Sequence, residues 1–386
     1  MFELDQTTNS DNALLAAPKC VLLNSRQSKR PCRRDAWVAG TAKAVESLVG
    51  QGFTFITSVG LNTWELVIHL VNTSGGRQII ILPSGTESES RQSSDSVITD
   101  FQLDRTRCAF CTLPAKSRAG LRDKSFWKER DLRAVGLADV IVPISLRNGG
   151  SLEQLVAASL ETGKQVIDDF RTDYRAADDQ VRYRLRNAII NPVFHQDNWN
   201  YLTHWTRSSH SPYPTETHAA CYHDILMSDS YPRSAFNTLA RIVTDRTILS
   251  SPRFIRGGYS TVSFTALNPI EAIGLMRWRR RYVYYSFEPY GVAIDTDFAR
   301  AVGLRPVIYG DDDLFEQLRD DEKPFYQKSG SAVADWLPEA EWRHVGDLSL
   351  TQFPNDKVHL ITYTESEAAS LRQMTEYEVI PLTLSR

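Results

Sequence analysis

At 386 residues, with 42% apolar and 24% charged side chains and a net charge of −3, the chain has a folded protein's composition and is long for one core. That balance excludes a globally basic nucleic-acid binder, and no apolar run reaches the length of a membrane helix. The acidic start MFELDQTTNSDNALLAAPKC lacks the basic region of a secretory signal, and the scattered Cys20, Cys32, Cys108, Cys111 and Cys221 read as reduced thiols of a cytoplasmic protein. Cys108 and Cys111 form a lone CxxC with no second pair at zinc-ligand spacing, so no metal is expected.

In chain order, residues 1–18 read as a flexible arm. A strand is predicted over Cys20–Asn24, then a helix over Asp35–Gly50 with Trp37, Val38, Ala44, Val45 and Leu48 on its apolar face. Phe53–Thr57 reads as a strand, and Ser58–Glu65 as the turn into a helix that ends near Gly75. Gln78–Leu82 is an uninterrupted Ile-rich run of the kind buried on both faces of a parallel sheet. The polar, Ser-rich residues 86–100 read as a loop. Val140–Ile144 is a strand, and Asn148-Gly149-Gly150-Ser151 leads from it into a helix with Leu152, Leu155, Val156 and Leu160 at helical spacing. A further strand follows over Gln165–Ile167. This β-α-β-α-β alternation predicts an α/β fold, a doubly wound parallel sheet over 19–172, whose ligands sit at the carboxyl ends of the strands.

Three of those ends carry polar residues. Ser25 and Arg26 follow the first strand, Ser58, Gly60 and Glu65 the second, and Asn148, Gly149, Gly150, Ser151 and Glu153 the later one. Two glycines let backbone approach an anion, Ser151 is a good N-cap residue, and helix-start amides carry partial positive charge. The same Gly-Gly can also simply turn a strand into a helix. Arg130 is placed to reach a phosphate or base, or to be an exposed helix arginine. Glu65 and Glu153, one turn into their helices, can act on a ribose or glycosidic bond or favour the helix dipole.

The charged residues 173–198 read as a helical connector, and 199–386 as an α+β domain without βαβ regularity. Within it a helix is predicted over Ser234–Asp245, a strand over Thr261–Thr265, and a helix over Pro269–Arg280. Strands are predicted over Tyr282–Glu288, Gly291–Ile294, Pro306–Tyr309 and Val358–Thr362. His204 and Thr206, two apart on one strand, point to one face, where imidazole and hydroxyl can hold a ribose. Ser263 lies on another strand, and Glu341 can stabilise the cation formed when a glycosidic bond breaks, or can satisfy a local hydrogen bond. The run Arg277–Tyr282 interleaves cations with aromatics.

TSVGLNTWELVIHLVNTSGGRQIIILP resembles the DNA-processing protein A (Smf) family, and RNGGSLEQLVAASLETGKQVI resembles both that family and the LOG lysine decarboxylase-like family. The resemblance implies a Rossmann-like domain that takes a nucleotide, a nucleotide-derived signal or single-stranded DNA, with Ser25, Arg26, Ser58, Gly60, Glu65, Arg130, Asn148, Gly149, Gly150, Ser151 and Glu153 about the ligand. LTHWTR, RFIRGGYSTVSFTALNP, YSFEPYGVAI, LRPVIYG and EAEWR look like the layout of AbiGi-type abortive-infection proteins. More distantly they are similar to DarT-like ADP-ribosyltransferases. That likeness implies NAD as substrate, His204 and Thr206 against it, Ser263 on the central strand, and Glu341 as catalytic carboxylate. The expectation is a bacterial anti-phage or stress-defence protein, in which a nucleotide or DNA sensor drives an NAD-using effector, with a homodimer among the expected states and no membrane partner. Two alternatives stay open: a non-catalytic DNA-binding protein, and a LOG-like nucleotide N-glycoside hydrolase acting through Glu153.

Overall fold

A computed structural model describes residues 14, 16–83, 87–113, 124–195, 199–253, 255–280, 283–329 and 339–384. Most of the expected N-terminal arm, and Arg281 and Tyr282 of the basic run, lie outside them. The chain divides into two units, Met1–Asp179 with Thr215–Pro232, and Gln180–Pro214 with Arg233–Arg386.

The first unit alternates strands and helices: β1 (Lys19–Asn24), α1 (Ala36–Gly50), β2 (Thr54–Ser58), α2 (Asn62–Thr73), β3 (Arg77–Pro83), α3 (Glu87–Phe101), β4 (Cys108–Leu113), α4 (Lys124–Leu137), β5 (Val140–Ser145), α5 (Ser151–Glu161) and β6 (Gln165–Val166). The six strands form one parallel sheet in the order β4-β3-β2-β1-β5-β6. This is the predicted Rossmann-like, doubly wound arrangement. Its strands read as continuous apolar runs because successive side chains enter two different cores. Cys20 and Leu22 join Trp37, Val45 and Leu66 on one face, while Val21 and Leu23 join Trp64, Phe126 and Ala134 on the other.

Two expectations change here. Residues 87–101 are helical, and Val97, Ile98 and Phe101, at spacings of one and three, pack on the first core. Residues 173–184 form neither helix nor strand. The backbone N–H of Thr172 donates to Ile144 O at 2.6 Å, the Tyr174 hydroxyl to Arg26 O at 3.3 Å, and Asp179 accepts from Ser28 Oγ and Lys29 N, each at 2.7 Å. Loop backbone, rather than an apolar stripe, holds this segment. The first unit also takes α6 (His218–Met227) from the second half of the sequence, because Cys221, Tyr222 and Ile225 complete the core against α2 and α3.

The second unit is built mainly of strands. Seven of them, β7 (Tyr201–Trp205), β8 (Thr261–Thr265), β9 (Gly291–Asp295), β10 (Arg305–Pro306), β11 (Glu341–Val345), β12 (Val358–Thr362) and β13 (Glu378–Pro381), form a mixed sheet in the order β10-β11-β8-β7-β9-β12-β13. Every neighbouring pair is antiparallel except β12 and β13. One face packs on α7 (Ala235–Asp245) through Leu202, Val262, Phe264 and Leu239, and the other buries Trp205, Ala293 and Ile361. The helix predicted over Pro269–Arg280 stops early. A capping box from Asn268 and Glu271 starts α8 (Pro269–Ile273), Gly274 closes it, and Trp278–Arg279 turns back on Tyr284–Tyr285 as a short hairpin.

Candidate functional site

In the first unit the strand order reverses between β1 and β5, the point where open α/β sheets leave a crevice. Here the two carboxyl ends are tied together. Ser25 N donates to Ser145 O at 2.9 Å, Arg147 N donates to Ser25 Oγ at 2.8 Å, and Gln27 Nε2 reaches Ser145 O at 3.4 Å. Arg26 and Asn148 are exposed beside this junction.

The glycine turns expected to cradle phosphate take the required backbone, with Gly60 at φ 92 and Gly149 at φ 67, but their amides already face an anion. Gly60 N donates to Glu65 Oε1 at 2.8 Å and Gly149 N to Glu153 Oε2 at 2.7 Å. Each glutamate therefore closes its own turn. Glu153 also lies 3.5 Å from the Arg171 guanidinium, and Glu65 accepts a second bond from the Tyr222 hydroxyl at 2.8 Å. Gly150, rather than Ser151, is the N-cap of α5, and no side chain caps the helix start. Ser58 is buried and its hydroxyl donates to Ile81 O at 2.7 Å, which makes it a strand-to-strand link.

Arg130 is neither exposed nor directed to the rim. It is 2% exposed, lies over the Trp64 ring at 4.9 Å and donates to Asp131 at 2.8 and 3.0 Å, while its Nη1 has no hydrogen-bond partner among the described residues. Burial pushes the Arg130 pKa down and the Asp131 pKa up. Because Tyr222 and Gly60 share Glu65, Tyr222→Phe should lower stability by about 1–2 kcal/mol in a urea melt. A change of only a few tenths would mean that the carboxylate finds another donor.

In the second unit the four expected residues fall on two faces of one sheet. His204 shares a face with Leu202, and Thr206 follows it there, below the start of α7. Ser263 and Glu341 occupy the opposite face, since Val262, Phe264 and Trp342 beside them point to α7. Thr206 is buried and donates to Ala235 O at 2.9 Å and Tyr290 O at 3.2 Å, fastening α7 to the sheet. His204 Nδ1 lies 2.8 Å from Ser263 O. A carbonyl only accepts, so Nδ1 carries the proton, and burial pushes the imidazole pKa down to about 4, leaving the ring neutral at neutral pH.

On the other face Ser263, exposed in the middle of β8, donates to Glu341 Oε1 at 2.8 Å. Arg343, 2% exposed, donates Nε to Glu341 Oε1 at 2.9 Å and Nη2 to Oε2 at 3.3 Å. Its remaining donors go to Pro324 O, Tyr326 O and Gln327 Oε1 at 3.2, 2.8 and 2.7 Å. All five guanidinium donors are thereby used, and the charge pair is fixed in orientation.

Glu339 completes this cluster and was assigned no role from the sequence. Burial first, then the Glu341 charge, pushes its pKa up to about 7, against the opposing pull of Arg279 and Arg207. Between the two glutamates Ala340 has φ 42, a left-handed conformation that a non-glycine residue adopts at a cost of about 1–2 kcal/mol. Tyr309 is pushed up to about 12 by burial and by Glu341, so it stays protonated. The sequence signal for the pair is Glu-x-Glu at the mouth of a strand, visible in EAEWR.

Among the described residues no cluster of three His, Cys, Asp or Glu is placed to hold a metal, and no helix is long and apolar enough to cross a membrane. No protein-family model and no curated protein matches the chain. Among solved structures the chain is similar to DNA processing protein A from Streptococcus pneumoniae, at 14% identity and TM-score 0.30, over 40% of this chain and 50% of that one. It thus spans half the length of that protein. A second similarity is to DNA processing protein A from Helicobacter pylori, described for its single-stranded DNA binding mode, at 14% identity and TM-score 0.30 over 42% and 71% of the two chains. A third is to the molybdenum cofactor carrier protein of Chlamydomonas reinhardtii, at 12% identity and TM-score 0.26 over 39% and 74%. Likeness at this level carries no argument about a ligand.

Proposed function

We propose that the second unit is a glycosyl-transfer enzyme that moves ADP-ribose from NAD, with Glu339 and Glu341 as its working carboxylates. The observation that carries this is the wiring of Glu341 to Ser263, exposed on an inner strand, and to a fully bonded Arg343, with a left-handed Ala340 joining it to Glu339. Backbone strain and a half-buried pair of carboxylates are what acid–base chemistry needs, whereas core packing needs neither. In the transfer, the bond from ribose C1′ to the nicotinamide nitrogen breaks and its electron pair leaves with nicotinamide. An oxygen or nitrogen of the target then bonds to C1′, and its proton passes to Glu339. Glu341 supplies negative charge to the ribose as it becomes cationic. His204 and Thr206, on the opposite face, hold the sheet and α7 together in this reading.

The first unit, in the same proposal, takes a nucleotide-type signal or single-stranded DNA at the β1–β5 junction beside Arg26 and Asn148, in a bacterial defence setting. A homodimer belongs to the same proposal. The LOG-like alternative is less well supported, because Glu153 is engaged by its own Gly149 amide and by Arg171.

The test is NAD consumption by the purified chain, with and without single-stranded DNA or cyclic nucleotides. Turnover should fall about a hundredfold or more in both Glu339→Gln and Glu341→Gln, with Glu153→Gln unaffected. Absence of turnover under every condition, with DNA binding intact, would replace this reading by that of a non-catalytic DNA-binding protein.

A further inference from the structure

The second unit also contains a cavity of about 1190 Å³ that shares no lining residue with the carboxylate cluster. Three of its lining residues are arginines, Arg184, Arg186 and Arg277, all exposed, and none is an aspartate or glutamate. In a chain of net charge −3 this is a local reversal of sign. Among the described residues the Arg184 and Arg186 side chains have no hydrogen bond or ion pair. Arg277 donates its Nε to Gly274 O at 2.9 Å, and among the described residues its terminal nitrogens meet no carboxylate.

The wall beside these cations is aromatic and fixed in place. Tyr183 meets Tyr285 and Tyr363 edge to face at 5.4 and 5.2 Å. The hydroxyl of Tyr285 donates to Val181 O at 2.8 Å and that of Tyr183 to Glu288 at 2.7 Å, while the Tyr363 hydroxyl accepts from Arg184 N at 3.0 Å. Arg184 is thereby anchored through its backbone, with its guanidinium left for a ligand. Ile273 and Met276 add apolar surface to the same cavity.

We propose that this cavity binds a nucleotide, with phosphate taken by Arg184, Arg186 and Arg277 and the base set against the tyrosine and apolar wall. Guanidinium forks without carboxylate partners match phosphate oxygens in pairs, and planar rings match an aromatic wall. The volume exceeds the range of about 300–1000 Å³ usual for small-molecule pockets, which leaves room for a base, a ribose and several phosphates together. A simple anion would leave the wall without a role. The assignment stands on residues separate from Glu339 and Glu341, so it can fail or hold independently of the proposed transfer reaction.

Titration calorimetry on the full chain tests this with ATP, inorganic phosphate and a short oligothymidylate as separate probes. ATP is expected to bind, phosphate to bind at least tenfold more weakly, and Arg186→Glu and Arg277→Ala each to weaken ATP about tenfold with unchanged thermal melts. Binding of the oligothymidylate in place of ATP, with the same sensitivity to both arginine variants, would assign the cavity to the nucleotides of a single strand and keep the chemistry. Equal affinity for phosphate and ATP, no binding of either nucleotide probe, or binding untouched by the two variants would overturn the assignment.

Discussion

Arg343→Leu is expected to lower the stability of the chain by about 3–5 kcal/mol, because it leaves the Glu341 carboxylate, 11% exposed, without its counter-charge. The carbonyls of Pro324 and Tyr326 and the side-chain oxygen of Gln327 lose their donor in the same step. For a folding unit of this size that loss corresponds to a melting temperature lower by roughly 6–20 °C, readable by circular dichroism. Adding Glu341→Leu to Arg343→Leu should recover part of the loss, since it removes the unpaired charge and leaves only the unbonded acceptors. A fall below about 1 kcal/mol in the single variant would show that water reaches Glu341 freely and that the pair behaves as a surface ion pair. The comparison bears on function as well. If Glu341 serves only as the partner of Arg343, Glu341→Gln should change stability and leave NAD turnover, where present, at its original level.

Much of the first unit could be read from its residues because the inner strands of a doubly wound sheet are buried on both faces. Val140–Ser145 and Gln78–Leu82 therefore appear as unbroken apolar runs. The helix α3 does not show in the sequence because its apolar residues gather at its end, in Val97, Ile98 and Phe101, after a run of polar ones. Residues 173–184 misled in the opposite way, since alternating charge resembles a solvated helix although the partners of Tyr174 and Asp179 are loop groups far away in sequence. The site shows the same division. That His204 and Thr206 share a face follows from strand periodicity alone. Their separation from Ser263 and Glu341 depends on the pairing of Thr203 with Thr265 and of Thr265 with Glu341, which no local pattern encodes. Nor could residue type distinguish Arg130, sealed against Trp64, from an exposed helix arginine. Likewise the two glycine turns carried the shape of an anion site, while the anion proved to be Glu65 or Glu153 of the same helix.

Replacing Glu339 by glutamine should make the chain more stable above neutral pH and leave it unchanged in acid. The folded protein raises the Glu339 pKa from 4.5 to about 7, so folding favours the protonated form. Below about pH 4.5 the group is protonated whether the chain is folded or not, and it imposes no penalty. As pH rises from 4.5 towards 7 the unfolded chain releases this proton first, stability falls, and above 7 the loss is complete at about 3 kcal/mol. Glutamine carries no such proton, so the variant should gain on the wild type across that window and keep the gain at pH 8. His204 and His69 act with the opposite sign. Burial lowers each from 6.5 to about 4, so the folded chain binds fewer protons there and stability falls as pH drops through that range. Both histidines are present in wild type and variant alike, so the difference between the two pH profiles isolates Glu339. A difference that is flat from pH 4 to 8 would mean that the carboxyl is solvated and not poised. A difference that follows the predicted curve, together with loss of the limb near pH 7 in the rate of NAD turnover, would give the same proton both a structural cost and a chemical use.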